Sequence, residues 1–235
     1  MKILLIGYGK MGKAIETIAL SRGHEIAGKI DVGDTLNDFQ DSVDVAIEFT
    51  QPQSVVNNLK VCIEKGIPVV CGTTGWGNDQ PAVEHFCKEK NGTLLYSSNF
   101  SLGVNIFFKL NEYLARIMDR YPPYEVAIDE THHTQKKDAP SGTAISLATG
   151  VIKNLNRKKE WTLETTENPE ALVIKSFRVD PAPGTHVVKY KSAVDDIEIT
   201  HTAHSREGFA LGAVLAAEWL AGKKGVFTMD DFLKL

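Results

Sequence analysis

The fold of this chain is decided near its start, by the stretch Ile3-Leu4-Leu5-Ile6-Gly7-Tyr8-Gly9-Lys10-Met11-Gly12. The apolar run predicts a buried β-strand, and the residues from Lys10 to Ser21 have the pattern of a helix. Gly7 permits a tight turn, Gly9 lets the backbone approach a pyrophosphate, and Gly12 lets helix and strand pack closely. The helix N-terminus offers free N–H groups to phosphates. We therefore predict a dinucleotide site over Gly7 to Gly12, with a glycine-rich structural turn as the alternative.

The coenzyme is indicated by the residues after the second predicted strand, Glu25 to Ile30. Asp31 follows that strand, where a carboxylate accepts hydrogen bonds from the adenosine ribose diol. The next residue is Val32, so the arginine that commonly binds a 2′-phosphate is absent from that position. This pattern favours NADH. Lys10 and Lys29 carry charges that can reach a 2′-phosphate, which leaves NADPH open.

Two further loops follow predicted strands and are candidates for the nicotinamide end of the coenzyme. They are Gly72-Thr73-Thr74-Gly75, after Ile67 to Cys71, and Ser97-Ser98-Asn99-Phe100, after Thr93 to Tyr96. In an open α/β sheet, ligands bind beyond the carboxyl ends of the strands. We therefore predict cofactor contacts from Gly72, Thr73, Thr74, Ser97, Ser98, Asn99 and Phe100. The same residue types form ordinary turns, and the sequence does not decide between the two readings.

The order of the predicted elements indicates two domains. In the first hundred residues, short apolar strands alternate with helices, which is typical of a parallel sheet covered on both faces. After Leu102, a long helix leads to strands of alternating polarity, and the helix from Gly208 to Leu220 returns to the first domain. We predict an α/β fold class. A Rossmann-like parallel sheet occupies residues 1–102 and 206–235, and an α+β domain with a mixed, largely open-faced sheet occupies residues 103–205.

The second domain contains the stretch with the most chemistry, Glu130-Thr131-His132-His133-Thr134-Gln135-Lys136-Lys137-Asp138-Ala139-Pro140-Ser141-Gly142-Thr143. We place it in a polar loop between a strand at Glu125 to Ile128 and a helix at Ala139 to Asn154. Histidine moves protons near neutral pH, and lysine supplies a cation for a carboxylate. A helix start at Ser141-Gly142-Thr143 adds hydroxyl and N–H donors. The loop suits a small dianionic substrate that is protonated as it is reduced.

Two other interpretations of this loop stay open. One is metal binding, with ligand atoms from Asp129, Glu130, His132 and His133. Adjacent histidines rarely point the same way, and no third histidine or cysteine follows at helical spacing, so we predict no metal. The other is a solvated charged loop without a function.

Composition limits the partners that we expect. The chain has 235 residues, with 26 Lys and Arg against 30 Asp and Glu, which gives a formal charge of −4. This balance does not indicate binding to nucleic acid or to an anionic membrane. No apolar run is long enough to cross a bilayer, and the first residues lack the pattern of a signal peptide, so we expect a cytoplasmic protein. We interpret Cys62, Cys71 and Cys87 as reduced core residues.

The motifs together resemble one enzyme family. The glycine loop, the GTTG and SNFSLGVN segments and, most specifically, HHxxKxDAPSGTA from His132 to Ala144 resemble the 4-hydroxy-tetrahydrodipicolinate reductase (dihydrodipicolinate reductase) family of bacterial lysine biosynthesis. The resemblance extends over nearly the whole chain. It implies NAD(P)H-dependent reduction of a cyclic imine dicarboxylate to tetrahydrodipicolinate. It also implies a homotetramer, assembled through the strand-rich region from Ala171 to His204.

The resemblance assigns roles to the motif residues. His132 would donate or accept the proton, and Lys136 would be a second catalytic proton donor that faces the substrate. A substrate carboxylate would be held by His133, Ser141, Gly142 and Thr143. The cofactor would be lined by the glycine loop, Asp31 and the two loops after the fourth and fifth strands.

The chain departs from longer family members at the coenzyme end. Its glycine loop is one residue tighter, the segment after Asp31 is short, and Val32 stands where an arginine often follows the acid. These differences concern coenzyme choice and not the reaction. Two alternative functions are another small NAD-dependent dehydrogenase acting on an amino acid and a dinucleotide sensor without turnover. His132, Lys136 and the APSGT string argue against both.

Overall fold

A computed structural model of the chain describes residues 1–205 and 207–234. The chain divides into two compact units, one formed by Met1–Leu102 with Glu207–Leu235 and the other by Gly103–Arg206. The predicted domain boundary at residue 206 lies outside the described residues. Within the described ranges, no helix combines the length and the apolar character needed to span a membrane.

Eleven strands and seven α-helices follow one another along the described chain. They are β1 (Lys2–Ile6), α1 (Lys10–Ser21), β2 (Glu25–Ile30), β3 (Val45–Glu48), α2 (Pro52–Glu64), β4 (Val69–Cys71), α3 (Gln80–Glu89), β5 (Thr93–Tyr96), α4 (Leu102–Met118), β6 (Glu125–His132), α5 (Gly142–Asn154), β7 (Glu160–Thr162), β8 (Ala171–Arg178), β9 (Gly184–Lys191), β10 (Asp196–Ala203), α6 (Glu207–Leu220), β11 (Gly225–Phe227) and α7 (Met229–Leu233).

The first unit is built on a six-stranded sheet in the order β11-β5-β4-β3-β1-β2. All of its strand pairs are parallel. Both faces are covered, as the continuously apolar strands predict. Ile3 and Leu5 face the core formed with α1 and α6, whereas Leu4 and Ile6 face the core formed with α2 and α3. Because the strands are parallel, the loops that follow β1 to β5 all leave the sheet at the same edge.

The three cysteines lie in the core between the parallel sheet and its helices. Cys62, Cys71 and Cys87 are all buried and unpaired, which confirms their interpretation as core residues. Burial raises the pKa of the Cys62 thiol to about 12, and Glu48 contributes in the same direction. A thiol with such a pKa is inert at neutral pH.

The second unit is built on a five-stranded sheet in the order β10-β9-β6-β8-β7. The central strand β6 is antiparallel to β9 and parallel to β8, so the sheet is mixed. One face packs on α4 and α5 through a core that includes Ile128, Leu147 and Val188. On the other face, Lys189 forms ion pairs with neighbouring strands and Phe177 is 45% exposed. The predicted fold class is confirmed for both units.

The strand β6 differs from its prediction, because it continues to His132 instead of ending at Ile128. The added residues are polar, so their composition indicates a loop. They nevertheless alternate in burial, with Glu130 and His132 on the covered face. Pairing with β8 on one side and β9 on the other supplies the backbone hydrogen bonds. The predicted catalytic histidine therefore lies on a central strand and not on a loop.

Other elements differ in their ends or were not predicted. Helix α5 begins at Gly142, three residues later than predicted, because Ser141 is its N-cap and its Oγ accepts a hydrogen bond from the Ala144 N–H at 3.2 Å. The short elements β7, β11 and α7 carry too few residues for a hydrophobic period to be visible.

Close packing between α6 and the loop after β5 depends on a glycine. A Cβ on Gly212 would lie 1.7 Å from the carbonyl oxygen of Phe100, which is backbone and cannot move aside easily. We expect Gly212→Ala to lower the free energy of unfolding by about 3 kcal/mol, because overpacking forces the backbone apart. Gly208→Ala on the same helix is the matched control, since the nearest atom to its Cβ is 4.0 Å away. Chemical denaturation measures the free energy of unfolding of both variants. Equal values for Gly212→Ala and Gly208→Ala would contradict the close packing at Gly212.

Candidate active site

The glycine loop combines two closely packed glycines with an open helix start. A Cβ on Gly7, which has φ +91°, would lie 2.1 Å from the Phe49 carbonyl oxygen, and one on Gly12 would lie 2.2 Å from the Gly7 carbonyl oxygen. These two glycines therefore serve close packing. In contrast, no atom lies within 4 Å of the position that a Cβ on Gly9 would occupy. It is the N-cap of α1, and no described side chain caps this helix start, so its N–H groups are available to an anion.

A cavity of about 720 Å³ lies beside this loop in the first unit. Its lining includes Gly7, Gly9, Asp31 and Val32 together with the residues after β3 and the start of α2. Gly7 and Gly9 of the predicted phosphate loop thus share one cavity with Asp31, the predicted ribose-binding residue. Val32 is 93% exposed and adds no charge to it. These residues fit the adenosine half of a dinucleotide.

Tyr8 and Lys29 form a cluster with Glu16. The Tyr8 hydroxyl donates to Glu16, the Lys29 ammonium lies 2.7 Å from the same carboxylate, and its Nζ is 4.3 Å from the centre of the Tyr8 ring. The hydrogen bond to Glu16 raises the pKa of Lys29. Lys29 therefore has partners within the chain, whereas Lys10 is exposed. Met11 packs against the core of the first unit.

The GTTG loop begins with a closely packed glycine, Gly72, followed by a buried threonine, Thr73. A Cβ on Gly72 would lie 2.1 Å from the Phe49 ring, and Thr73 accepts a hydrogen bond from the Thr50 N–H at 2.7 Å. Thr74 is exposed at the tip. The loop is therefore tied to the end of β3, beside the residues that line the cavity.

The loop after β5 is a local turn followed by a core residue. Ser97 Oγ accepts from the Asn99 N–H at 3.1 Å and donates to the Asn99 carbonyl at 2.8 Å, which is turn chemistry. Ser98 is exposed. Phe100 is only 2% exposed and packs 5.8 Å from the Phe49 ring, so its side chain belongs to the core.

Glu48 is a residue at this edge that the sequence analysis missed. Its carboxylate is fully buried at the end of β3, accepts a hydrogen bond from the Thr50 hydroxyl and lies 3.3 Å from the Cys71 thiol. Burial raises its pKa, and hydrogen bonds from Thr50 and Thr73 only partly oppose this effect. Glu48 thereby connects the end of β3 with the end of β4, where the predicted GTTG coenzyme loop begins.

His132 lies in a buried polar network on the covered face of the second sheet. The carboxylate of Glu130 accepts hydrogen bonds from Ser176 Oγ at 2.7 Å, Arg178 Nη2 at 3.2 Å and the Ser141 N–H at 3.0 Å. Its Oε2 is 3.5 Å from His132 Nδ1 and 3.8 Å from His186 Nε2. The two imidazole rings meet edge to face at 5.0 Å.

The loop after β6 is held to this network by hydrogen bonds. The Arg178 guanidinium donates to the carbonyl oxygens of Lys136 at 3.2 Å and Asp138 at 2.6 Å. The Lys136 ammonium lies 2.8 Å from the Asp138 carboxylate and is partly exposed. Thr134 donates through its N–H and hydroxyl to Asp180. The predicted catalytic lysine thus sits on an anchored loop beside His132.

The predicted substrate-binding residues surround the start of α5 and the end of β6. Ser141 is buried, and its Oγ lies 3.1 Å from His186 Nε2. Gly142 is exposed, with no atom within 4 Å of its Cβ position, and Thr143 is partly exposed. His133 is partly exposed and directly follows His132, the last residue of β6. Ser141 therefore supports the network, whereas Gly142, Thr143 and His133 are open to a ligand.

The environment sets the charges of the buried groups. Burial lowers the pKa of His132, with further lowering from Lys136 and Arg178, while Glu130 opposes them. Burial lowers the pKa of His186 to about 4, so His186 is neutral at pH 7. For Glu130, burial raises the pKa, but hydrogen bonds from Ser141 and Ser176 outweigh this and the net pKa is lowered. The network holds one carboxylate beside two largely neutral imidazoles.

The same three side chains are the described residues whose atoms come closest to a metal site. Ligand atoms of Glu130, His132 and His186 lie within 4.8 Å of one another. The carboxylate, however, already binds the Arg178 cation and the Ser141 N–H, which compete with a metal ion for its lone pairs. Asp129, a member of the ligand set considered from sequence, pairs with Lys189 on the open face. The geometry favours a hydrogen-bond network.

Comparisons with known proteins establish the family. Residues 1–100 match the family described as dihydrodipicolinate reductase, N-terminus, and residues 103–233 match dihydrodipicolinate reductase, C-terminus. The chain belongs to the dihydrodipicolinate reductase family. Membership confirms the resemblance, the enzyme class and the reductase function predicted from the sequence.

Curated relatives named 4-hydroxy-tetrahydrodipicolinate reductase match nearly the whole chain. The protein from Christiangramia forsetii is 48% identical, over 99% of this chain and 98% of its own length. The protein from Archaeoglobus fulgidus is 36% identical, over 96% of each chain. Among solved structures, dipicolinate-bound dihydrodipicolinate reductase from Paenisporosarcina sp. TG-14 aligns with a TM-score of 0.76 over 97% of both chains, at 22% identity, which confirms the fold.

The sequence analysis missed the partners of His132. Ser176, Arg178 and His186 were not singled out, and Glu130 was considered only as a metal ligand. The alternation of side chains along a strand could have identified Glu130. Residues 130 and 132 lie on the same face of β6 if the strand extends to His132. The partners on β8 and β9 are more than forty residues away along the chain, so only the strand register brings them together.

The low pKa of His186 predicts acid sensitivity. Unfolded histidine titrates near 6.5 and folded His186 near 4, so between these values the unfolded state binds more protons. The free energy of unfolding should fall as the pH drops from 6.5 towards 4, by on the order of 2–3 kcal/mol from this residue. His186→Gln should flatten the dependence between pH 6.5 and 4.5, whereas His85→Gln, on the exposed surface of α3, should not. Denaturant titrations at several pH values measure the free energy of unfolding. Parallel plots of this free energy against pH for wild type and His186→Gln would contradict the predicted role of His186.

Proposed function

We propose that this chain reduces 4-hydroxy-tetrahydrodipicolinate, or its dehydrated form dihydrodipicolinate, to tetrahydrodipicolinate with NAD(P)H in cytoplasmic lysine biosynthesis. The observation that carries the proposal is the buried His132 of the HHxxKxDAPSGTA segment, whose Nδ1 lies 3.5 Å from the Glu130 carboxylate. We also propose a homotetramer, assembled through the open face of the second sheet on which Phe177 is exposed.

The reaction needs one hydride and one proton in each turnover, because the reduced nicotinamide supplies only the hydride. The proton has to come from a group that is held near the substrate and recharged from water. His132 meets this need, since burial makes its imidazolium a ready donor and Glu130 stabilises the charged form. Lys136 is a second donor, with a partly exposed ammonium that reaches solvent.

A dicarboxylate substrate also needs cations and N–H donors. Arg178 is paired with His132 across β8 and β6, and Lys136 lies on the loop that Arg178 anchors, so two positive charges are held near His132. The first turn of α5 adds the open backbone at Gly142 and the hydroxyl of Thr143, and helix N-termini attract carboxylates. His133 is open to a ligand at the end of β6. One carboxylate would bind at the helix start, through Gly142 and Thr143, with His133 as a further candidate contact.

Replacement of the two proposed proton donors separates chemistry from binding. His132→Ala should lower kcat by about 10²–10⁴-fold and leave NADH binding unchanged, because positioned acid–base groups contribute this much. Lys136→Ala should lower kcat and raise the KM for substrate, because the lysine cation interacts with both the bound substrate and the transition state. NADH oxidation at 340 nm, with substrate made from aspartate semialdehyde and pyruvate by a synthase, gives the rates. His85→Ala is the control, and a fully active His132→Ala would overturn the assigned role.

The coenzyme site supports NADH as the preferred donor. Asp31 faces the cavity with an exposed carboxylate, and Val32 offers no cation for a 2′-phosphate. Of the two candidate cations from the sequence analysis, Lys29 is paired with Glu16, whereas Lys10 is exposed. A 2′-phosphate beside Asp31 would meet repulsion from that carboxylate, and compensation by Lys29 would first require the loss of its ion pair with Glu16.

A charge introduced after Asp31 tests this preference. Val32→Arg should raise kcat/KM for NADPH about tenfold, because one charge-assisted hydrogen bond to a phosphate contributes about 1.5–3 kcal/mol and this site is exposed. Val32→Gln is the matched control, with similar reach and no charge. Wild type should show a higher kcat/KM with NADH. A wild-type preference for NADPH would refute the coenzyme proposal and leave the reductase assignment intact.

A further inference from the structure

The register of the second sheet lines up polar side chains in two adjacent rows on its covered face. In the first row, Glu130 on β6 is paired with Ser176 on β8 and with His186 on β9. In the second row, two residues further along β6, His132 is paired with Arg178 on β8. Gly184 on β9 lies two residues before His186 and so belongs to the second row. Strand pairing thus places Glu130 next to His132 on one strand and gives both of them neighbours on β8 and β9.

The carboxylate of Glu130 is immobilised from every side except that of the histidines. Its Oε1 binds the Ser176 hydroxyl and the Arg178 guanidinium, and its Oε2 binds the N–H of Ser141. The side chain is fully buried. The remaining approach to Oε2 is occupied by His132 Nδ1 at 3.5 Å and by His186 Nε2 at 3.8 Å.

His132 Nδ1 is buried and has no hydrogen-bond partner among the described residues. Its distance to Glu130 Oε2 is slightly longer than a good hydrogen bond, and such contacts in ligand-free sites commonly shorten when the ligand binds. A small rotation of the ring would bring Nδ1 within hydrogen-bond distance of Oε2. Because an ionised carboxylate only accepts, the closed contact requires a proton on Nδ1.

The opposite side of the ring is shaped by a missing side chain. A Cβ on Gly184 would lie 3.1 Å from His132 Nε2 and 3.3 Å from Cδ2, which is tighter than ordinary contact. The ring therefore uses space that exists only because residue 184 is glycine. The edge of the His186 ring, which is neutral, closes a further side.

We propose that Glu130 is a positioning residue for His132, holding Nδ1–H so that Nε2 is the atom that exchanges the proton with the substrate, and that Gly184 leaves the space for this ring orientation. The inference rests on the proposed role of His132. Glu130 also stabilises the imidazolium that donates, since a carboxylate beside an imidazole favours its charged form.

Several charges act on His132, and the role of Glu130 has to be separated from theirs. The charged and titratable groups around it are Glu130 on β6, Lys136 and Asp138 on the loop after β6, Arg178 on β8 and His186 on β9, with His201 of β10 next to His186. Lys136 and Arg178 lower the pKa of His132, whereas Glu130 raises it. Loss of the Glu130 charge should therefore move the titration of His132 to lower pH.

The experiment measures kcat, KM and NADH affinity between pH 4.5 and 9 for wild type, Glu130→Gln and Glu130→Asp. Because the donor must be protonated, kcat falls above its pKa. In Glu130→Gln we expect kcat to drop about 10–100-fold at pH 7.5, because a misaligned acid loses much of its effect. We also expect the falling limb of the pH profile, where kcat decreases as the pH rises, to move to lower pH by about one unit. The NADH affinity should stay within about threefold of wild type, and so should the KM for substrate, because a glutamine amide oxygen still accepts from the Ser141 N–H that positions α5. Glu130→Asp should restore the position of the limb and part of kcat.

Glu125→Gln is the matched control, a Glu→Gln change on the same strand at an exposed carboxylate that pairs with Lys158. It should leave kcat and the pH profile unchanged. A Glu130→Gln enzyme with the wild-type limb and kcat would overturn the inference. So would a loss of kcat with an unmoved limb and weakened substrate and NADH binding, since that pattern indicates only a structural role.

A second variant covers the case in which Glu130→Gln does not fold. Gly184→Ala leaves the carboxylate and its donors in place and adds one methyl group against the His132 ring. We expect kcat to fall at least about tenfold with NADH affinity unchanged, because small displacements of a catalytic group are costly. An unchanged kcat would refute the role of the ring position. If His132→Ala is itself active, the proposed function of His132 fails, whereas an inactive His132→Ala with normal Glu130→Gln and Gly184→Ala enzymes refutes this inference alone.

Discussion

The buried carboxylate of Glu130 is the constraint on which the second unit depends. Removing an ionised carboxylate from water costs several kcal/mol unless hydrogen bonds and a cation replace its hydration. Here the replacements come from β8, through Ser176 and Arg178, and from the first turn of α5, through the Ser141 N–H. Because the charge has to be satisfied by all of these donors at once, it determines where the start of α5 sits on the sheet. That position in turn places the open N–H groups of α5 near His132.

The covered face of this sheet is divided into two parts with different tasks. Ile128, Val188 and Tyr190 pack with α4 and α5 and provide the apolar burial that stabilises the unit. One step along β6 and β9, the same face changes to Glu130, His132 and His186. Each polar group there needs a partner, since an unsatisfied buried group costs about 1–3 kcal/mol. Stability therefore comes from one end of the face, and the arrangement of charge that the chemistry needs is held at the other end.

Much of the fold follows from local pattern, because apolar strands, the glycine loop and the period of the helices are visible within a few residues. The parallel sheet, the helix α1 and the position of Asp31 after β2 are of this kind. The polar end of β6 is different, since Asp129 to His132 become a strand only through partners on β8 and β9 that are distant in the chain. The same holds for the site. His132 and Ser141 stand in a recognisable segment, whereas Arg178 and His186 are brought to them by strand register, which no local pattern contains.

The two proposed sites differ in how firmly their charges are held, and this difference bears on their function. Lys29 and Glu16 form an ion pair near the surface, and such exposed pairs contribute about 0–1 kcal/mol. A bound phosphate can exchange with that pair at little cost, so coenzyme preference rests on a small free-energy difference. Glu130, in contrast, is buried, and the loss of any one donor leaves a charge without compensation. The acid–base end is therefore rigid because its polar groups are out of water, whereas the coenzyme end tolerates exchange because its ions remain in contact with water.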